Sequence, residues 1–280
     1  MAEIAGALEL SRRDPGFVGG LAALVYTLIV IVVCFGLWAG SIALFDIPDY
    51  VMPTPWATLE TMGAQWGAIL GHVWFTVRVA IVGLLVSSSI ALTVASTFTA
   101  SRTIARTAMP LVIAMRSAPL VAIAPLITLM AGRGFATGVI VVVIASFFPL
   151  LVNALQGLSS VTQSTYELMH VLGATRFQIL RMVRFPFALP YIFTGLRVAS
   201  ASAILGAMLA EWLTGQRGVG YLILESAETR ELELLWAAIL AATLLAFVSF
   251  TATVLAERAL GGWRLHDTSR PRDDRNLGST

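Results

Sequence analysis

Long uninterrupted apolar runs, separated by short polar stretches, dominate this chain. Six runs are candidates for membrane spans: Phe17 to Phe45, His72 to Phe98, Ala108 to Ala131, Phe135 to Gln156, Pro190 to Leu213 and Leu234 to Ala256. Each is close to, or above, the ~20 residues with which an α-helix crosses the hydrocarbon core. No water satisfies backbone polar groups at that depth, so helices are the expected element. The expected fold class is an all-α membrane protein with about six transmembrane helices. The first run exceeds the ~7–15-residue apolar core of a signal peptide, which predicts a retained helix. The same pattern divides the chain into an N-terminal segment 1–16, a membrane domain 17–262 holding a polar loop at 157–189, and a tail 263–280. Neither an internal repeat nor a separate soluble domain is visible.

Composition narrows the function classes. Of 280 residues, 58% are hydrophobic and 12% charged, the balance of a polytopic membrane protein. The net charge of +2, with no basic stripe beyond the polar loops, points away from nucleic acid. All 18 basic residues are arginine, so no Walker A lysine exists and this chain has no P-loop of its own. The single Cys34 allows no intrachain disulfide. His72, His170 and His266 are scattered and form no metal or catalytic motif, so no metal site and no enzyme activity is expected.

Arginine placement predicts orientation. With both termini inside, the cytoplasmic segments hold Arg12, Arg13, Arg102, Arg106, Arg176, Arg181, Arg184, Arg258, Arg264, Arg270, Arg272 and Arg275, twelve in all. The outer segments hold three: Arg133, Arg217 and Arg230. This bias places the 157–189 loop in the cytoplasm. Arg78, Arg116 and Arg197 lie within spans but near their ends, where long side chains can snorkel to the headgroups. Glu211 is the acidic residue inside a predicted span. It lies near an outer end, within expected reach of water, and is a candidate gate residue, either alone or paired with an arginine of another helix.

The polar loop has readable local signals. Ser164 and Glu167 are spaced as a capping box, predicting a helix from Thr165. Gly173 suits the left-handed residue that ends it. Thr175 and Gln178 form a second box, and Pro186 is expected to end the second helix. Leu168 and Leu172 share one face of the first helix. Such a knob fits either a groove on a soluble partner or the headgroup layer, anchored by Arg176, Arg181 and Arg184.

Other segments are candidates for the solute route. Pro119 and Pro125, with Pro110, fall in the third run, where prolines kink helices and free carbonyls. Gly195, Ala199, Ala203 and Ala207 form a small-residue row, with Ser202, Gly206 and Ala210 beside it, fit for close helix packing within the chain, for a dimer interface or for a pathway wall. Gly218 and Gly220 lie in a glycine-rich bend that is either a gate folding into the membrane or a plain loop. Met52-Pro53-Thr54-Pro55 predicts a turn leading into an interfacial helix from Trp56 to Leu70.

Glu167-Leu168-Met169, then Gly173 and Val183-Arg184-Phe185-Pro186, resemble the EAA loop of ABC-importer permeases. Leu168 and Met169 stand where that family has two alanines. Phe147-Phe148-Pro149, Gly195-Leu196-Arg197, Ala210-Glu211 and Gly218-Val219-Gly220-Tyr221 resemble the subfamily serving taurine, alkanesulfonates and nitrate, with relatives serving thiamine precursors or riboflavin. The resemblance implies a type I importer architecture in the bacterial inner membrane. Glu167, Leu168, Met169, Leu172, Gly173, Ala174 and Pro186 would couple to a cytoplasmic ATPase dimer, which would carry the ATP and Mg; no cofactor is expected on this chain. It also implies a solute-binding protein outside and a second permease copy, in a homodimer. Pro119, Pro125, Ser202, Gly206, Glu211, Gly218 and Gly220 would belong to the gate or solute path. The alternative is an ion-coupled secondary carrier, which wants ionisable or broken-helix sites at mid-membrane; only Glu211 approaches that.

Overall fold

A computed structural model describes residues 17–117 and 119–260, and among these every regular element is helical. In chain order they are α1 (Phe17–Phe45), α2 (Pro55–Ala64), α3 (Trp66–Ala100), α4 (Arg102–Ser117), α5 (Leu120–Ala131), α6 (Phe135–Leu158), α7 (Gln163–Val171), α8 (Arg176–Ile179), α9 (Phe185–Thr214), α10 (Val219–Thr229) and α11 (Leu232–Leu260). A π-helical turn, Leu180–Arg184, joins α8 to α9, making one helix from Arg176 to Leu213. That helix, α3, α6 and α11 are each long and apolar enough to cross a membrane. The N-terminal segment 1–16 and the tail from 263 lie outside the described residues.

At the centre stands α6, packed along α9 on one side and α3 on the other. Its contacts depend on residues too small to hold the helices apart. A methyl group built at Gly83 of α3 would lie 2.4 Å from a Val142 methyl, and one at Gly206 of α9 would lie 3.0 Å from Ala145 Cβ. Near the polar loop, Ala91, Ala95, Leu151, Ala154, Leu158, Ala188 and Ile192 close the core. Towards the other end Val79, Val142, Ala203 and Ala207 continue it. The Gly195-to-Ala207 row is thus buried against α6 inside the chain, the first of its three expected uses. With no hydrophobic drive between helices in lipid, this close packing is the principal source of cohesion.

Three expectations are corrected. The third run is not one span. It is divided into α4 and α5 around Pro119, which takes an extended conformation as N-cap of α5. A proline donates no hydrogen bond and disfavours helix in the residue before it. Pro110 and Pro125 stay within helices. Secondly, the outer helix stops at Ala64 rather than Leu70. Thr54 caps its start, Pro55 occupies its first turn, and Trp66 already opens α3. Thirdly, Arg197 is not simply a snorkelling cation, because it forms an ion pair with Glu257. Glu257 falls one residue beyond the predicted end of the last span, which continues to Leu260. Arg78 is exposed, its guanidinium 5.9 Å from the Phe75 ring centre; the Arg116 side chain is outside the described ones.

Gly157 is a test of this packing. A methyl there would lie 2.9 Å from Ala188 Cα, a backbone atom that cannot swing aside. Gly157→Ala is expected to destabilise the detergent-purified protein by about 1–3 kcal/mol. Gly63→Ala, which meets nothing within 4 Å on the exposed face of α2, should be neutral or stabilising. Thermal unfolding of the two variants side by side is the measurement.

Candidate functional site

Two groupings of predicted residues stand at opposite ends of the helix bundle. At one end α7 projects as a short helix. Its N-cap is Thr162, whose hydroxyl accepts from the Thr165 amide, and not Ser164 as the spacing suggested. Glu167 is exposed and accepts a hydrogen bond from the Gln163 side chain one turn earlier, at 2.9 Å. The helix ends as expected at Gly173, in the left-handed region at φ 74°. Gly173 N donates to His170 O and Ala174 N to Met169 O, each at 3.0 Å, the paired bonds of a Schellman motif. These bonds give Gly173, Ala174 and Met169 defined roles in shaping the turn.

The tip of α7 is apolar and uncovered. Leu168 is 58% exposed, Leu172 70% and Val171 85%. Val171 was not singled out in the sequence, although it adjoins Leu172 in a two-turn helix. Immediately after the turn, Thr175 and Gln178 form the expected capping box. Pro186, however, does not end a helix. It sits in the first turn of α9, directly after the π-turn. A proline in a continuous helix clashes with the carbonyl four residues back, and a wider π-turn is one way to absorb that mismatch. The loop therefore runs without interruption into a membrane-crossing helix.

Arg184, the last residue of the π-turn, joins three elements. Its Nη1 donates to Thr99 O at the end of α3, at 3.2 Å. Its guanidinium carbon lies 5.3 Å from the Tyr166 ring centre on α7. Tyr166 in turn packs edge-on against His170, with ring centres 4.9 Å apart. Sequence spacing gave no sign of this link, since Arg184 and Thr99 are far apart in the chain.

At the opposite end Glu211 is 2% exposed. Water does not reach it, which corrects the expected access, and among the described residues no arginine forms an ion pair with it. Its Oε1 accepts from the Thr76 hydroxyl at 2.7 Å, and its Oε2 accepts from the Gly220 amide at 2.8 Å. Thr76 Oγ1 also accepts from the Val219 amide at 2.9 Å. His72 Nδ1 lies 3.0 Å from Gly218 O and 3.2 Å from Gly218 N, so either tautomer finds a partner on that residue. Gly218 lies against the carboxylate itself. A Cβ there would fall 2.0 Å from Glu211 Cδ, and its φ of 111° suits glycine alone. The glycine-rich bend is thus a built turn, and the segment after it is α10, packed on α11, α9 and α3. Beside the cluster Tyr221 donates to Glu225 at 2.7 Å, which raises its phenol above the ordinary value.

Gly206 faces α6, where an added Cβ would meet Ala145 Cβ at 3.0 Å and Val142 Cα at 3.4 Å. Ser202 is half-buried and its hydroxyl is turned back to Val198 O. Pro119 and Pro125 are exposed on α5, on a helix that also exposes Val121, Leu129 and Met130 while burying Ala124 and Ile127. The seven residues expected at the gate or solute path therefore do not converge. Glu211, Gly218 and Gly220 meet with Thr76 and His72; Pro119 and Pro125 share α5; Ser202 and Gly206 belong to the α9 packing.

The described residues thus form a bundle of helices long enough to cross a membrane, with an exposed apolar helix tip on a loop at one end. Residues 83–262 match the binding-protein-dependent transport system inner membrane component family, and the chain belongs to that family of ABC-importer permeases. It is 30% identical to the riboflavin transport system permease protein of Chloroflexus aurantiacus, over 81% of this chain and 85% of the relative. It is also 30% identical to the taurine transport system permease protein of Escherichia coli, over 55% of this chain and 56% of the relative. An inward-facing structure of the MetNI methionine ABC transporter shares the fold, with a TM-score of 0.61 at 18% identity, over 72% of this chain and 98% of that one. Family membership sets the ion-coupled carrier aside.

The buried cluster should be sensitive to single atoms. Thr76→Val removes the donor to Glu211 and the acceptor for Val219, leaving polar groups unpaired, and should cost about 1–3 kcal/mol. Gly218→Ala should be at least as damaging because it meets the carboxylate directly. Limited proteolysis of the turn between α9 and α10, together with thermal unfolding, reads both effects.

Proposed function

We propose that this chain is the membrane-spanning subunit of an ATP-driven importer, and that α7 is the lever by which a cytoplasmic ATPase moves it. The observation that carries the reading is the uncovered apolar tip of Leu168, Val171 and Leu172, set on a Schellman turn that leads straight into a membrane-crossing helix. An exposed apolar surface of this kind is suited to burial against a partner. Force applied at the tip passes through Arg176–Leu213 as a rigid element to the far end, where Glu211 fastens the α9–α10 turn to α3. In this reading both termini face the cytoplasm, in keeping with the arginine bias. Nucleotide binding brings two ATPase subunits together and biases a two-state membrane domain between inward- and outward-open forms.

A second copy of the chain completes the route, and the uncovered face of α5, with Pro119 and Pro125, is the surface we assign to that junction. A solute-binding protein delivers cargo outside, where α2 is held to α11 by a 2.8 Å hydrogen bond from Thr61 to Glu233. The relatives divide between a sulfonate and a flavin, so the cargo is a small anion such as a sulfonate or nitrate, or a compact heterocycle. The binding protein makes that choice.

Leu172→Asp places a charge at the centre of the docking tip, and Gly173→Pro removes a donor and a left-handed residue from the turn. Both variants should insert into the membrane at normal levels yet lose the ATPase on mild-detergent purification, with solute uptake falling roughly tenfold or more, the scale of a single lost interface anchor. Wild-type uptake by both would rule out the lever. Mass spectrometry of the wild-type complex would name the partners.

A further inference from the structure

A cavity of about 740 Å³ opens beside α7, between the end of α3, the end of α6 and the start of α8. It lies within the ~300–1,000 Å³ range of ligand pockets. Arg176 and Arg184 line it together with Gln163, and no acidic residue does. Neither arginine takes part in an ion pair among the described residues. Arg184 has Nη1 bonded to Thr99 O, but its Nε is buried without a hydrogen-bond partner. Burying a guanidinium donor unpaired is costly, so an acceptor at this point would be bound with gain. Beside these polar groups the wall is mixed: Ser96, Thr99, Ser159 and Tyr166 line it along with Phe98, Leu158, Phe177, Ile179 and Leu180. The cavity sits at the loop-side ends of three long helices, α3, α6 and Arg176–Leu213. The apolar tip residues Leu168, Val171 and Leu172 are not part of its lining, so it is separate from the docking knob.

We propose that this cavity binds the phosphate-bearing headgroup of an anionic phospholipid of the cytoplasmic leaflet, with Arg176 and Arg184 on the phosphate and the apolar part of the wall against the glycerol and upper acyl chains. A free phosphate shares the chemistry at the arginines but leaves the apolar members of the lining, Phe98, Leu158, Phe177, Ile179 and Leu180, unused, which is why the lipid is favoured. Basic pockets between membrane helices on the cytoplasmic side are suited to such headgroups. The bound lipid would wedge the coupling helix against the ends of α3 and α6, making transport sensitive to anionic lipid. The cytoplasmic placement rests on the proposed function; lipid retention is measured without reference to uptake or ATPase capture, so the two readings can fail separately.

The test is native mass spectrometry of the purified importer after exchange into nanodiscs of phosphatidylcholine with or without phosphatidylglycerol. The wild type should retain phosphatidylglycerol in preference to phosphatidylcholine. The Arg176→Gln/Arg184→Gln double variant should lose that preference by roughly tenfold or more. Arg181→Gln and Arg258→Gln, exposed arginines outside the cavity, should keep it. Arg176→Gln alone, whose side chain makes no hydrogen bond among the described residues, should lower the preference even if the double variant fails to fold. Undiminished retention by Arg176→Gln and by the double variant would overturn the proposal. So would displacement of the lipid by inorganic phosphate that itself binds with the same arginine dependence, which would assign the site to a free anion. Loss of the ATPase subunits from an otherwise lipid-loaded double variant would overturn it in favour of a protein contact.

Discussion

Everything in this molecule depends on how closely α6 can approach α3 and α9. In lipid, apolar side chains gain nothing by leaving solvent for a protein interior, so cohesion comes from dispersion at short range. Glycine and alanine faces supply that range at Gly83, Gly157, Gly195 and Gly206, where even one added methyl would meet an atom at 3.0 Å or less. In the proposed lever the tight core is also a mechanical part, holding the long helix from Arg176 to Leu213 as one body between the α7 tip and Glu211.

The two ends solve opposite problems. The knob leaves apolar side chains uncovered and fixes its own backbone by caps and a left-handed glycine, so its shape does not depend on a partner being present. The far end hides a carboxylate and satisfies both oxygens, using a threonine from α3 and an amide from α10. A buried, fully bonded polar group holds a single geometry because any shift leaves it unpaired. The α9–α10 turn is consequently anchored at a defined point on α3. Between the ends, the π-turn reconciles Pro186 with helical continuity, and Arg184 carries that same turn to α7 and α3.

Local signals in the sequence proved reliable where the physics is local. The Thr175–Gln178 box and the end of α7 at Gly173 are set within four residues and were legible. Ser164 lost to Thr162 because several hydroxyl residues compete for one cap, and spacing alone does not choose between them. Pro186 and Pro119 look alike in the sequence, yet one is carried inside a helix and the other breaks a span.

By itself the sequence determined the membrane class, the number and rough limits of the apolar runs, and the resemblance of the polar loop to a coupling loop. Those features follow from composition, period and short spacing, which survive without coordinates. Only the tertiary structure decided that Glu211 is dry and bonded to Thr76, that Arg197 pairs with Glu257, that the small-residue row packs within the chain, and that Arg184 faces an acid-free cavity. Each of these joins residues far apart in the chain. The partner of a buried polar or small residue is set by which helices become neighbours, and no local pattern encodes that choice.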